Sequence, residues 1–78
     1  MAPGSWTEID GALERTFELP SFVEALAFVN RVGALAEEQG HHPDVSFGWG
    51  RAEVVIFTHA IDGLTESDFI LAAKIDRL

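Results

Sequence analysis

The sequence predicts an α+β fold, a two-layer sandwich of order β-β-α-β-β-α with a four-stranded antiparallel sheet and both helices on one face. Short segments of alternating apolar side chains occur in two pairs, and a glycine-containing turn joins the members of each pair. A helical pattern follows each pair. Connections this short favour antiparallel hairpins, and the two helices can then cover a single face of the sheet.

The first predicted hairpin joins a short strand over residues 6–9 to a longer one that ends at Pro20. Asp10 and Gly11 lie between them and form a strong signal for a two-residue hairpin turn. In the second strand the apolar side chains fall on one face by alternation. Arg15 is the one charged residue on that face, so we expect it to pair with a carboxylate.

The first helix is predicted to begin after Ser21 and to end at Gly40. Ser21 and Glu24 have the spacing of a capping box, and glycine is the usual left-handed terminator of a helix. A stripe of apolar residues at the three-and-four spacing is expected to face the core. Its members are Phe22, Ala25, Leu26, Val29, Val32 and Ala36.

The second hairpin is predicted from a strand over 45–49, a turn at Gly50 and a strand over 52–59. The last strand is apolar on both faces, which favours a central position or a covered second face. If its Ala52, Val54 and Ile56 face meets the helices, His59 points to the helix-free face, and the active cleft is expected there. The final helix is predicted to begin at Thr65, with Asp68 completing a weaker capping box.

Length, charge and cysteine content narrow the class of protein. The 78 residues predict one domain over 1–78, with residues 1–5 as a loose tail, and a domain this small commonly oligomerises. A net charge of −8 disfavours direct nucleic-acid binding, and the absence of cysteine excludes disulfides and thiolate metal sites. No apolar run is long enough for a membrane span, so we expect a cytoplasmic protein that does not bind membranes.

Three histidines are the conspicuous chemical feature. His41 and His42 precede Pro43 in the loop after the first helix, and His59 falls at the end of the last strand. Imidazole suits proton transfer because its ordinary pKa lies near neutral pH. The residues alone leave two other readings open, namely a polar loop with a strand-end histidine, and a three-histidine zinc site of no common spacing.

Several residues around the histidines are candidates for supporting roles. Glu37 lies one helical turn before His41 and can orient an imidazole, although a solvated carboxylate is the simpler interpretation. Asp68 is explained by capping alone. Trp49 is suited to lining a pocket for a flat heterocycle, although aromatic residues on strands more often belong to the core.

The spacing of these residues resembles the signature of the pterin-4a-carbinolamine dehydratase family, also known as dimerisation cofactors. Residues 6–78 share the resemblance. The signature reads Glu37, three residues, His41-His42-Pro43, five residues, Trp49, nine residues, His59, eight residues, Asp68. The resemblance implies a four-stranded antiparallel sheet with helices on one side, and dimers that join their sheets and often pair into tetramers.

The activity that the resemblance implies is loss of water from 4a-hydroxytetrahydropterin to give quinonoid dihydropterin, which recycles the cofactor of aromatic amino-acid hydroxylases. No metal and no other cofactor is implied. His41 and His59 match the family's acid–base histidines, and His42 matches a residue that orients the pterin. Glu37 and Asp68 match supporting carboxylates. A protein-binding module, with the outer face of the first helix as its surface, is the alternative.

The sequence departs from the family pattern at three points. Many members carry an additional helix before the first strand. Val45 stands where an aromatic residue commonly touches the ligand, and Trp49 stands where tyrosine is usual. These positions shape the wall of the pocket, whereas the three histidines of the signature are present.

Overall fold

The computed structural model describes residues 5–57 and 64–78, and six elements follow one another in the predicted order. The strands and helices are listed in chain order: β1 (Thr7–Ile9), β2 (Ala12–Glu18), α1 (Phe22–Gln39), β3 (Asp44–Gly48), β4 (Arg51–Ile56) and α2 (Glu66–Ile75). The predicted α+β class is confirmed. The last strand ends at Ile56, three residues before the predicted end, and residues 58–63 lie outside the described part.

The four strands form one antiparallel sheet in the order β1-β2-β4-β3. Each hairpin therefore supplies one central and one edge strand, and β2 pairs with β4 to join the two hairpins. Leu13 lies opposite Ile56 and Phe17 lies opposite Ala52 in that central pairing. The apolar content of both faces of β4 predicted either a central position or a covered second face, and the strand is central.

The first hairpin turns at Asp10 and Gly11, as predicted. Their φ angles are +50° and +79°, and Ile9 pairs with Ala12 across the turn. A two-residue turn with positive φ at both central positions matches the right-handed twist of the flanking strands. Aspartate and glycine tolerate that conformation better than other residues, which is why this dipeptide predicts the hairpin.

One face of the sheet carries both helices, and the core lies between the two layers. Ala52, Val54 and Ile56 are fully buried on that face, as predicted. They pack in one cluster with Leu13 and with buried residues of both helices, which include Phe28, Val32, Leu71 and Ile75. The opposite face of the described strands carries Glu14, Thr16 and Glu53 by alternation.

The buried stripe of α1 differs from the predicted one. Ala25, Val32 and Ala36 are buried as expected, but the fourth member is Phe28, whose ring lies 4.6 Å from that of Phe17. Phe22 and Leu26 are 43 % and 40 % exposed. The first two turns of α1 are apolar nearly all round, so periodicity alone does not decide which side faces the sheet.

The C-terminal end of α2 is joined to the sheet by a carboxylate with two donors. Asp76 Oδ1 accepts hydrogen bonds from Trp6 Nε1 at 2.8 Å and from Arg15 Nη1 at 2.7 Å. The Arg15 guanidinium also lies 4.4 Å from the centre of the Phe17 ring. The carboxylate partner expected for Arg15 is therefore Asp76. No helix within residues 5–57 and 64–78 is long and apolar enough to cross a bilayer.

Candidate active site

His41 is placed by the C-terminal end of α1. Gly40 has a φ of +63°, and its backbone N–H donates to Glu37 O at 3.3 Å. The next N–H, that of His41, donates to Ala36 O at 3.1 Å. This pair of bonds is the Schellman motif, which reverses the chain immediately after a helix. The backbone of His41 is thus fixed to the last turn of α1 before β3 begins.

Asp68 is placed by the N-terminal end of α2. Thr65 is the residue before the helix, and Asp68 Oδ2 accepts its backbone N–H at 2.7 Å and its hydroxyl at 3.2 Å. Asp68 is fully buried. A buried carboxylate requires donors to replace water, and an anion at the start of a helix is further stabilised by the helix dipole. The predicted capping box of Thr65 and Asp68 is present, and the Thr65 hydroxyl is a further donor to this carboxylate.

The two helix ends meet at a hydrogen bond between His41 and Asp68. Nε2 of His41 lies 2.7 Å from Oδ1 of Asp68. The His41 side chain is 18 % exposed and the carboxylate is not exposed. The two residues lie 27 positions apart in the sequence and form an imidazole–carboxylate pair. Its carboxylate is buried, and its imidazole is partly exposed to solvent. Asp68 both caps α2 and holds a histidine.

His42 forms a second imidazole–carboxylate pair, but on the surface. Its Nε2 makes a very short contact with Glu37 Oε2, and the two side chains are 62 % and 77 % exposed. Glu37 was expected to orient an imidazole, and the structure shows that this imidazole belongs to His42. Pro43 follows directly and leads into β3.

Trp49 does not lie with the histidines within this chain. It occupies the turn after β3, whereas His41 and His42 precede the strand, and five residues of strand span about 16 Å. The Trp49 side chain is 75 % exposed. Val45 lies on the helix-covered face, opposite Val54, and packs against the core. Neither residue therefore joins the His41–Asp68 pair.

The expected cleft on the helix-free face is not where His41 lies. His59 lies outside the described residues, whereas His41 contacts α2 in the helix layer. Two described depressions do open on the helix-free face, with volumes of about 230 and 110 Å³. Glu53 borders both, and neither His41 nor His42 lines them.

No metal site is evident in the described part of the chain. Among residues 5–57 and 64–78, no group of three or more histidine, cysteine, aspartate or glutamate side chains is arranged to hold an ion. His41 and His42 each have a carboxylate partner instead. Because His59 is outside this range, the absence of a metal stays a prediction.

The fold is α+β, and a partly exposed imidazole beside a buried carboxylate is an arrangement suited to general acid–base chemistry. Comparison with known proteins gives the family. The model of the pterin 4 alpha carbinolamine dehydratase family matches residues 2–78. The chain belongs to this family, as the resemblance indicated.

Curated relatives bear the same family name. A protein of Rubrobacter xylanophilus named "Putative pterin-4-alpha-carbinolamine dehydratase" is 66 % identical over 77 residues, which cover 97 % of this chain and 71 % of the relative. A protein of the same name from Alkaliphilus metalliredigens is 53 % identical over 87 % of this chain and 61 % of its own length. The chain thus spans roughly two thirds of the relatives it matches.

Two solved structures are similar in fold. A transcriptional coactivator/pterin dehydratase from Brucella melitensis superimposes with a TM-score of 0.85 at 31 % identity, over 92 % of this chain and 79 % of that one. A pterin dehydratase-like protein described as a RuBisCO assembly factor of the alpha-carboxysome gives 0.77 at 26 % identity, over 92 % and 83 %. Family members therefore carry more than one kind of role.

Proposed function

We propose that this chain removes water from a 4a-hydroxytetrahydropterin to give quinonoid dihydropterin, with histidines as the acid and the base. The observation that carries the proposal is the His41–Asp68 pair, in which a buried carboxylate holds a partly exposed imidazole. Family membership supports the substrate class. Recycling of the pterin cofactor of aromatic amino-acid hydroxylases follows from that reaction.

The roles proposed for individual residues follow from their placement. His41 transfers a proton, and His59 is the second acid–base residue of the family signature. His42 binds and orients the pterin, and its exposure beside Glu37 leaves its ring accessible to a ligand. Pro43 fixes the turn from the histidines into β3. Trp49 is proposed to contact ligand only if another copy of the chain brings it to a site, since its own His41 is a strand length away.

A dehydratase assay with freshly generated 4a-hydroxypterin tests the proposal. Replacing His41 or His59 by alanine is expected to lower kcat by on the order of 10²-fold or more, because each variant loses an acid–base group. Lys74→Gln is the control, since it alters an exposed side chain in the last turn of α2, at the opposite end of that helix from Asp68. Its kcat is expected to stay within about threefold of wild type. Full activity in both histidine variants would exclude the mechanism.

A protein-binding module is the second candidate. The observation that favours it is the outer face of α1, where Phe22, Val23 and Leu26 are exposed beside the polar positions Glu24 and Asn30. The coactivator and assembly-factor relatives show that the family includes such roles. A pull-down compares the partners retained by the wild type with those retained by a Val23→Glu chain. Full dehydratase activity together with no difference in retained partners would contradict this candidate.

The assembly proposed for the chain is a homodimer or homotetramer. A small domain with exposed apolar side chains on one helix gains stability by burying them between copies. The edges of the described sheet are β1 and β3, and the family resemblance implies that dimers join their sheets. The cytoplasmic location expected from the sequence stays a prediction.

A further inference from the structure

Asp68 contacts Nε2 of His41, and this contact determines which ring nitrogen of His41 is available for proton transfer. The Nε2–Oδ1 distance is 2.7 Å. A carboxylate accepts hydrogen bonds and has no proton to donate, so the bond requires the proton to sit on Nε2. We infer that Asp68 is a positioning residue that keeps His41 in the Nε2–H tautomer, so that His41 exchanges protons through Nδ1.

The surroundings of Asp68 favour its carboxylate form whether His41 is neutral or cationic. Oδ2 already accepts two hydrogen bonds from Thr65, one from the backbone N–H and one from the hydroxyl. Asp68 is also the third residue of α2, where the positive end of the helix dipole stabilises an anion. The carboxylate therefore does not depend on a positively charged His41, and the Nε2–H bond persists in both states of the ring.

The backbone and the ring of His41 are both held, and Nδ1 is the nitrogen left over. The backbone N–H is bonded to Ala36 O, and Nε2 is directed at the buried carboxylate. Among the described residues, no side chain or backbone group makes a hydrogen bond to Nδ1 of His41. The side chain is 18 % exposed, so part of it remains accessible to a ligand.

This inference rests on the proposed dehydration and specifies its atoms. In that reaction the C4a–O bond breaks with its electron pair leaving on oxygen, which takes a proton to become water. The N5–H bond also breaks, and its electron pair forms the C4a=N5 double bond. A cationic His41 supplies the first proton from Nδ1, whereas a neutral His41 accepts the second at Nδ1. The same nitrogen serves in either role.

Long-range ¹H–¹⁵N NMR of the full chain reads the tautomer without any assay of activity. The wild type is expected to show His41 protonated on Nε2. Asp68→Asn is expected to reverse this, because the single amide oxygen stays with the Thr65 N–H and the amide NH₂ then donates to Nε2. Its kcat should fall on the order of 10²-fold with little change in KM. Glu37→Gln, which alters the exposed pair, should leave the His41 tautomer unchanged.

A second variant separates positioning from folding. His41→Gln keeps an N–H donor near the position of Nε2 but lacks an Nδ1 equivalent, so it is expected to fold and to lose activity to the same extent as His41→Ala. An Nδ1–H tautomer in the wild type, or an unchanged tautomer in a folded Asp68→Asn chain, would overturn the inference. A wild type that has the Nε2–H tautomer but no dehydratase activity would instead overturn the proposed function, and with it the proton exchange at Nδ1. The positioning of the His41 ring by Asp68 would then stand. If Asp68→Asn does not fold, the wild-type spectrum still decides.

Discussion

At the scale of single residues, His41 and His42 are neighbours with the same kind of partner but very different surroundings. The His42–Glu37 contact is exposed on both sides, and such pairs contribute about 0–1 kcal/mol and weaken with salt. The carboxylate beside His41 is fully buried, so water cannot replace its hydrogen-bond donors if they are lost. The sequence spacing suggested Glu37 as the partner of an imidazole. It did not indicate which one, because the Schellman turn decides where each ring points.

A residue-scale prediction concerns Asp76. Its Oδ1 receives both the indole N–H of buried Trp6 and the Arg15 guanidinium, so Asp76→Ala leaves two donors without their acceptor. We expect the free energy of unfolding to fall by about 1–3 kcal/mol. Urea unfolding followed by Trp6 fluorescence measures this change, in a Trp49→Phe background so that Trp6 is the one remaining tryptophan.

The controls for Asp76 separate the two bonds. Asp76→Asn retains an oxygen for the indole N–H but loses the charge opposite Arg15, so it is expected to recover part of the lost stability. Glu66→Ala removes an exposed carboxylate from the first turn of the same helix, where the helix dipole stabilises it, and should lower stability by less than about 1 kcal/mol. Equal losses for Asp76→Ala and Glu66→Ala would show that the paired carboxylate does not stabilise the packing of α2.

At the scale of elements, local signals in the sequence predicted all six segments. The Asp10-Gly11 turn and the Ser21 and Thr65 caps each act over fewer than five residues, so they can be interpreted without the fold. The order of strands in the sheet and the side of α1 that faces it depend on contacts between distant segments. Composition constrained only one of these features, the place of β4 in the sheet, because β4 is apolar on both faces.

An element-scale prediction contrasts two glycines of the α1 segment. Gly40→Ala forces a side chain into a φ of +63° and is expected to cost about 1–2 kcal/mol of stability. Gly33→Ala adds a methyl group on an exposed helical position with no atom within 4 Å, so it is expected to stabilise the chain by up to about 1 kcal/mol. Thermal unfolding compares them, and effects of the same sign would contradict the prediction.

The Gly40 variant also tests how the helix end positions the site. Because the His41 N–H bonds to Ala36 O in the same Schellman motif, Gly40→Ala is expected to lower dehydratase activity more than Gly33→Ala does, at a temperature where both chains are folded. Activities that follow stability alone, with no additional loss for Gly40→Ala, would indicate that the motif does not position His41.

At the scale of the whole molecule, the pair His41 and Asp68 could not be derived from local patterns. The two residues belong to the ends of different helices, and they meet only because both helices pack on the same sheet face. The family signature related them by spacing, without a geometry. The exposed side of α1 is likewise a property of the packed molecule. Val23 and Leu26 have apolar side chains like their neighbours, and the position of the sheet leaves them exposed. Phe22 is 43 % exposed at the border, where its ring contacts Phe47 of β3.

The last prediction concerns this outer side of α1 and the proposed self-association. Leu26 and Ile70 are apolar residues of similar exposure, 40 % and 44 %, on different helices. If copies associate through α1, Leu26→Glu places a charge in the interface and is expected to lower the mass measured by sedimentation velocity. Ile70→Glu should leave that mass unchanged, and both substitutions should alter monomer stability little because neither side chain is buried. A wild type that sediments as a monomer, or dissociation by Ile70→Glu alone, would contradict the prediction.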